Sequence, residues 1–263
     1  MTSKIRCSYI GYNQYDEIDP ATCISFNLFG DKLYAGSNRM IRCFDVANPG
    51  VYDNIPTCKS RRDPMGQKGI ISTISFNPDY SNSYAVGSYA SSVGIYVENM
   101  EGCALEIRDI GMDVTCIKWS PNGNNIWVGG RKNSNIVCWD VRNTRSEIGK
   151  IHRLCTSNQK MMFDLDPWGN FLCTGTQDGS LLIYDVNNFN LVHEINSDSD
   201  CINSVQFHPS SSLVGVVTGQ RHFVENDSDS DSDSDGDLIS NSENLKKKPI
   251  NYCFDMYKFG VIK

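Results

Sequence analysis

The hydrophobic residues of this chain fall in short runs separated by turn-forming residues. In "GSYASSVGIY", residues 87–96, glycines and serines surround the apolar residues Val93, Ile95 and Tyr96. Glycine and serine weaken a helix, and the apolar spacing does not follow the 3.6-residue helical period. The stretch therefore predicts two strands joined by a turn.

The same pattern of strands and turns occurs five times along the chain. The copies begin at Ser25, Ser75, Lys118, Asp164 and Gln206, and their apolar anchors are Phe26, Phe76, Trp119, Leu165 and Phe207. The anchors are 50, 43, 46 and 42 residues apart, which is close to the length of a WD repeat. Each WD repeat forms a four-stranded blade whose inner strands pack between neighbouring blades. We therefore predict an all-β, WD40-type β-propeller with about five four-stranded blades.

The repeat also predicts the boundaries of the blades within a single propeller domain, residues 1–263. The blades are expected near 20–58, 69–108, 113–151, 160–195 and 201–263, with breaks near 48–68, 98–112, 142–159 and 188–200. Pairs of small residues should let neighbouring blades approach closely: Ala35-Gly36, Val86-Gly87, Gly129-Gly130 and Thr174-Gly175. The opening "KIRCSYIGY" either supplies residues 4–10 as the outer strand of the last blade or ends a preceding blade. The pattern favours the second arrangement, in a longer propeller of six to seven blades.

The net charge of −7 comes from one segment near the end of the chain. Residues 225–243 carry eight acidic side chains and no basic one, which leaves 23 acidic against 24 basic residues elsewhere. We expect residues 225–248 to be a disordered acidic insertion with a short basic end. Ser228, Ser230, Ser232 and Ser234 each precede an aspartate, so they are either phosphorylation sites or part of a solvated spacer. The balanced remainder permits nucleic-acid binding without arguing for it.

The cysteines and carboxylates do not form a recognisable catalytic or metal site. The eleven cysteines include no Cys-x-x-Cys pair, the four histidines are scattered, and no secretory signal or membrane-length apolar run is present. The cysteines are therefore interpreted as reduced, mostly buried thiols. Asp164 and Asp166 could mimic a catalytic carboxylate pair, although in a propeller they more commonly cap a turn. We expect no catalytic residue, no metal and no cofactor.

Several strings go beyond the generic repeat. They are "GQKGIISTISFNP", "GSYASSVGIY", "GGRKNSNIVCWDVR", "TSNQKMMFDLDPWGNFLCTGT" and "VTGQRHF". In this order they resemble the telomerase Cajal body protein family, and the resemblance runs from about Tyr12 to Phe223. The acidic insertion lies where that family carries a variable acidic loop. Two departures are the absence of the family's first blades and the loss of the "WD" dipeptide at Tyr96-Val97.

The resemblance implies an RNA-binding protein of the nucleus that acts in Cajal bodies or their equivalent. The family recognises a short box in the terminal loop of H/ACA-type guide RNAs and, in some lineages, telomerase RNA. Its implied partners are therefore small Cajal-body RNA and the H/ACA ribonucleoprotein core proteins, with no membrane and no small-molecule substrate. Unpaired bases of such a loop can stack on aromatic rings or arginine planes.

Candidate RNA-binding residues follow from equivalent positions in the copies. The turn after the second strand carries Asn38 and Arg39 in the first copy, Tyr89 in the second, Arg131 and Lys132 in the third, and Gln220 and Arg221 in the fifth. Lys68, Gln159 and Lys160 precede inner strands and should lie near the central channel. Trp168 is expected in an exposed turn, where it would stack on RNA or contact a partner. Each residue alone is also explained as a solvated turn residue, and Arg142 is explained by packing or an ion pair.

A WD-repeat scaffold that binds only proteins is the alternative function. It predicts peptide contacts at the channel and no salt-dependent affinity for RNA. An enzyme is the weakest interpretation, because no nucleophile motif, phosphate loop or metal cluster accompanies the two aspartates.

Overall fold

The computed structural model describes residues 7–60, 66–196, 200–219 and 253–258. These residues form nineteen β-strands and no helix, so the predicted all-β class is confirmed. No helix in the described part of the chain is long and apolar enough to cross a membrane.

The strands are grouped in five antiparallel sheets that follow one another along the chain. Blade 1 contains β1 (Cys23–Phe26), β2 (Lys32–Ser37), β3 (Met40–Asp45) and β4 (Tyr52–Pro56). Blade 2 contains β5 (Ile71–Phe76), β6 (Ser83–Ser88), β7 (Ser92–Val97) and β8 (Leu105–Ile107). Blade 3 contains β9 (Asp113–Trp119), β10 (Asn125–Arg131), β11 (Asn135–Asp140) and β12 (Gly149–His152). Blade 4 contains β13 (Phe163–Leu165), β14 (Phe171–Gly175), β15 (Ser180–Asp185) and β16 (Leu191–Asn196).

Blade 5 differs from the predicted four strands. Within the described residues it has three strands, β17 (Ile202–Phe207), β18 (Leu213–Thr218) and β19 (Cys253–Lys258). Residues 7–10 form no strand there. Instead, the Tyr9 hydroxyl donates to the Val46 carbonyl, and its ring packs on Phe44 in blade 1. Residues 7–10 therefore do not supply the outer strand of the last blade, which was the less favoured of the two alternatives, and residues 4–6 lie outside the described residues.

Neighbouring blades approach each other through one glycine in each of four blades, as predicted. A Cβ built on Gly36 would lie 2.6 Å from Ile71 of blade 2, and one on Gly87 would lie 2.5 Å from Val114 of blade 3. The equivalent Gly129 and Gly175 lie against Phe163 of blade 4 and Ile202 of blade 5. Because interiors are close-packed, a side chain at these positions would push the blades apart.

Polar contacts also cross the blade boundaries. The Thr22 hydroxyl donates to the Ile71 carbonyl, and the Ser72 hydroxyl donates to the Val114 carbonyl. The Trp119 Nε1–H group of blade 3 donates to the Ser75 carbonyl of blade 2 at 2.9 Å. The inner strands are thus held in sequence by hydrogen bonds as well as by apolar packing.

The inner strand of blade 1 does not have the buried pattern that the sequence predicts. On β1, Ile24 is 67% exposed and Phe26 is 58% exposed. By contrast, four consecutive residues of β5, beginning at Ile71, are buried. The difference arises because β5 has contacts with both blade 1 and blade 3, whereas the alternate residues of β1 that face away from blade 2 remain exposed.

Candidate functional site

The strand order divides the loops of the propeller between two ends. In an antiparallel blade, the loop between the second and third strands lies at the same end as the connection to the next blade. We call this end the connection end, and it is formed by residues 38–39, 66–70, 89–91, 108–112, 132–134 and 153–162. The turns between first and second strands lie at the opposite end, called here the turn end.

Arg131 and Tyr89, two of the predicted residues, meet at the connection end. The Arg131 guanidinium carbon lies 4.3 Å from the centroid of the Tyr89 ring, in a cation–π contact between blades 3 and 2. Its Nε–H group donates to Asp113 Oδ2 at 2.9 Å. Arg131 and Asp113 are cross-strand partners at the ends of β10 and β9. Neither Nη1 nor Nη2 has a hydrogen-bond partner within the described residues.

The turn that carries Tyr89 is fixed to blade 3 by backbone and side-chain hydrogen bonds. Ser91 Oγ accepts the Gly111 and Met112 N–H groups at 2.9 and 3.1 Å. The Ser91 carbonyl accepts the Ile110 N–H group at 3.2 Å. The Tyr89 ring and the strand that begins at Asp113 are therefore held in a defined relation, so Arg131 does not need to order this site on its own.

Lys132 and Arg39 occupy equivalent turns in the left-handed backbone region. Their φ angles are 52° and 56°, values that cost energy for residues other than glycine and persist where neighbours fix the backbone. The Lys132 N–H group donates to the Ser157 carbonyl at 3.1 Å, and the Arg39 N–H group donates to the Gly69 carbonyl at 2.9 Å. Each turn is thus anchored to an inter-blade connection, and the side chain of Lys132 is exposed.

Lys68 lies in the connection that precedes β5, and its side chain is exposed. The Ser88 hydroxyl donates to the Lys68 carbonyl. The preceding Gln67 is fully buried and donates from Nε2 to the carbonyls of Val86 and Ser92. The buried glutamine holds the connection in place and leaves the lysine side chain exposed beside the turn of Tyr89.

Lys160 reaches across the space between the inner strands. Its Nζ donates to the Ser72 carbonyl of blade 2 at 3.2 Å, although Lys160 itself precedes blade 4. Its charge also acts on the thiols of Cys23 and Cys116, in blades 1 and 3. No carboxylate among the described residues forms an ion pair with it. The neighbouring Gln159 has a buried Oε1 atom that has no hydrogen-bond partner among the described residues.

One of the predicted residues, Trp168, is not brought to this group. Trp168 is 65% exposed in the turn between β13 and β14, which lies at the turn end. The adjacent Gly169 faces Pro121 in the equivalent turn of blade 3. Gln220 and Arg221 lie outside the described residues.

The two aspartates considered as a catalytic pair make structural contacts. Asp164 forms an ion pair with Lys118 of blade 3 at 2.9 Å and accepts the Phe207 N–H group of blade 5 at 2.9 Å. Asp166 accepts the Asn170 and Phe171 N–H groups, as the expected turn cap. Both carboxylates are therefore engaged in holding the fold. Arg142, as expected, forms a two-pronged ion pair with Asp140.

The cysteines behave as packing residues. All eleven are free thiols, and six of them are buried: Cys43, Cys116, Cys138, Cys155, Cys173 and Cys201. Burial, together with the nearby Asp140 carboxylate, raises the pKa of the Cys138 thiol to about 12. In the described part of the chain, no three His, Cys, Asp or Glu side chains are arranged to hold a metal ion.

Asp113 is the member of the site that the sequence analysis missed. Asp113 stands two positions before the Thr-Cys of its inner strand. There it pairs across the blade with Arg131, the residue that ends the second strand. Finding it required the register of β9 against β10. That register shifts between Gly129 and Gly130, so counting residues along the two strands would have given the wrong partner.

Comparison with known proteins supports both the fold and the resemblance. Residues 65–229 match the family described as "Eukaryotic translation initiation factor eIF2A". The chain is 36% identical over 231 residues to "Telomerase Cajal body protein 1" of Bos taurus, covering 85% of this chain and 42% of the relative. It is 34% identical to "Telomerase Cajal body protein 1" of Homo sapiens, covering 85% and 41%. The chain thus spans about two fifths of the length of these curated relatives.

A solved structure with the same fold is "Crystal Structure of Mitotic Checkpoint Complex". The TM-score is 0.60 at 16% identity, and the match covers 74% of this chain and 58% of that chain. The five successive antiparallel sheets and this likeness define the class as a WD40-type β-propeller protein. Residues 65–229, more than half of the chain, belong to the family of eukaryotic translation initiation factor eIF2A. Over 85% of its length, the chain is similar to telomerase Cajal body protein 1.

Proposed function

We propose that this propeller binds the unpaired loop of a small structured RNA at its connection end. The observation that carries the proposal is the group of cationic and aromatic side chains from several blades at this one end: Arg39, Lys68, Tyr89, Arg131, Lys132 and Lys160. Cations neutralise phosphates, and aromatic rings and guanidinium planes stack on splayed bases. No catalytic step is part of this function.

Similarity to telomerase Cajal body protein 1 supports the RNA class and the cellular location that we propose. The relatives' name joins telomerase with the Cajal body. We propose that the RNA is a small Cajal-body guide RNA of the H/ACA type or telomerase RNA, bound in the nucleus together with the H/ACA core proteins. The protein would act by holding and localising the ribonucleoprotein particle.

Binding of a guide-RNA hairpin by purified protein, measured by fluorescence anisotropy across a salt series, tests this function. One hairpin carries the intact loop box and the other carries a scrambled loop of the same composition. We expect tighter binding to the intact loop. Replacing Arg131 by alanine should cost about 1–3 kcal/mol on the intact hairpin and less on the scrambled one. Lys132→Ala should weaken both alike and lower the salt slope by about one unit.

Two further variants complete the experiment. Lys160→Ala should also weaken both hairpins alike, because its ammonium group is a point charge without a carboxylate partner in the described chain. Trp168→Ala, at the turn end, is the matched control and should bind both hairpins as the wild type does. Equal binding of both hairpins by the wild type, without salt dependence, would favour the protein-scaffold function. A loss confined to Trp168→Ala would place the RNA at the opposite end.

A further inference from the structure

The guanidinium of Arg131 is held on two sides before any ligand binds. Asp113 Oδ2 accepts from its Nε edge at 2.9 Å, and the Tyr89 ring covers one face at 4.3 Å. The Ser91 hydrogen bonds keep the turn of Tyr89 attached to the loop that leads to Asp113. An arginine side chain ordinarily loses much rotamer freedom when it binds, and here this loss has already occurred on folding.

The ion pair also changes what kind of group this arginine can attract. Asp113 lies beside Arg131 and cancels much of its charge, and the Asp113 side chain is 42% exposed while that of Arg131 is 28% exposed. A phosphate would approach a carboxylate of the same sign, so the pair is a poor phosphate site compared with the exposed Lys132. The guanidinium nevertheless keeps the directed N–H groups of Nη1 and Nη2, which lack partners within the described residues. This arrangement favours a neutral ligand with two neighbouring acceptors.

We propose that Tyr89, Arg131 and Asp113 form a reader for one unpaired guanine. Guanine is the base whose N7 and O6 offer two adjacent acceptors on one edge, which is the edge that a guanidinium fork contacts with two parallel hydrogen bonds. Adenine presents a donor beside N7, and the pyrimidines lack this pair. The inference rests on the proposed function and adds to it the identity of one nucleotide and the residues that select it.

The test replaces single loop guanines of the intact hairpin by 7-deazaguanine, which removes N7 and leaves the Watson–Crick edge unchanged. With the wild-type protein, we expect one position at which this substitution weakens binding about 10- to 150-fold, the range for losing one hydrogen bond to a charged group. Arg131→Lys keeps the charge and removes the fork. This substitution should weaken binding to the unmodified RNA by a similar factor. The Arg131→Lys protein should bind the 7-deaza RNA as tightly as it binds the unmodified RNA.

Two variants separate positioning from charge. Tyr89→Phe keeps the ring and should retain the sensitivity to 7-deazaguanine, whereas Tyr89→Ala should reduce it. Asp113→Asn removes the neutralising charge, so it should lose sensitivity to 7-deazaguanine while binding the scrambled hairpin more tightly at low salt. The gain reports the removed charge, and the lost sensitivity to 7-deazaguanine reports the lost positioning of Arg131. Thermal unfolding of each variant accompanies the binding measurement.

The outcomes distinguish the inference from the function beneath it. If no loop guanine is sensitive to 7-deazaguanine, and Arg131→Lys binds like the wild type, Arg131 contacts a phosphate and the guanine reader is overturned while RNA binding stands. The modified RNA tests the wild-type protein directly, so this result does not depend on any variant folding. If the wild type binds neither hairpin, the proposed function itself fails.

Discussion

Asp164 links three blades through one carboxylate, so its removal should weaken the fold at blades 3, 4 and 5 together. Its oxygens engage Lys118 Nζ at 2.9 Å and the Phe207 N–H group at 2.9 Å. The Asp164 side chain is 13% exposed and that of Lys118 is 32% exposed. Burial lowers the pKa of Lys118, but the Asp164 carboxylate and the Cys116 thiol more than offset this, and the net shift is upward. The ion pair is therefore stabilising within the folded protein.

Asp164→Ala should lower the free energy of unfolding by about 2–3 kcal/mol. A hydrogen bond to a charged group contributes about 1.5–3 kcal/mol, and the lost acceptor for Phe207 adds to it, while partial exposure of Lys118 reduces the sum. For a chain of this size, the change corresponds to a fall in melting temperature of about 5–10 °C. Urea unfolding followed by circular dichroism gives the free energy, and hydrogen exchange should show faster exchange at the Phe207 amide.

Arg142→Ala is the matched control, because it removes an ion pair with Asp140 in which the arginine is 66% exposed. Such surface pairs contribute about 0–1 kcal/mol. Lys118→Met combined with Asp164→Ala should destabilise by less than the sum of the single changes, because the two side chains interact directly. The reasoning is refuted if Asp164→Ala costs no more than Arg142→Ala, or if the double variant is strictly additive.

Three further predictions concern packing, ionisation and charge. Gly87→Ala should destabilise the fold by about 1–3 kcal/mol, because the added Cβ would lie 2.5 Å from Val114. At Gly215 the nearest atom is 3.3 Å away, so Gly215→Ala should cost less in the same urea series. Equal costs of the two substitutions would contradict this reasoning. Because burial raises the pKa of Cys138 to about 12 from 9.0, the unfolded chain loses this proton first, and stability should fall as pH rises above about 9. Cys138→Ala should make that slope shallower by about 1.4 kcal/mol per pH unit, and an unchanged slope between pH 9 and 10.5 would argue against it. Deleting residues 225–243 should leave the melting temperature unchanged and slightly strengthen RNA binding at low salt by removing like-charge repulsion; a large loss of melting temperature would show that the segment packs on the propeller.

The deletion is expected to be tolerated because the strands on either side of it are paired with each other. Thr218 and Cys253 are directly paired residues at the facing ends of β18 and β19. The ends of β18 and β19 that residues 219–252 join both lie at the connection end. The described chain thus leaves and re-enters the propeller at the same end as Arg131 and Lys132, which gives the expected repulsion its physical basis.

The repeat pattern predicted those parts of the fold that each blade specifies locally. The turn after Asp166 and the glycine at four blade boundaries follow from turn chemistry and close packing, and the structure bears them out. The anchor Phe26, by contrast, is 58% exposed. The exposure of Ile24 did not follow, because it depends on which blades flank β1 and not on the sequence of β1. A fourth strand was also expected in blade 5, and the described residues provide three.

The candidate site was only partly predictable. Equivalent positions in the repeats placed Arg131 and Tyr89 at one end, and the structure brings them into contact. The contribution of Asp113 depended on a shifted register, and the contact of Lys160 with Ser72 joins two residues that are 88 positions apart in sequence. Contacts of this kind are set by how the blades are arranged around the inner strands, which a repeat pattern alone does not contain.

Mapping of ultraviolet crosslinks between the protein and a guide-RNA hairpin tests the central claim most directly. The complex is irradiated and digested, and the crosslinked peptides are identified by mass spectrometry. We predict crosslinks in the peptides that contain Tyr89 and residues 131–132, with competition by unlabelled intact hairpin and not by scrambled hairpin. Crosslinks concentrated at Trp168 and the other turn-end residues, or equal competition by both hairpins, would contradict recognition of an RNA loop at the connection end.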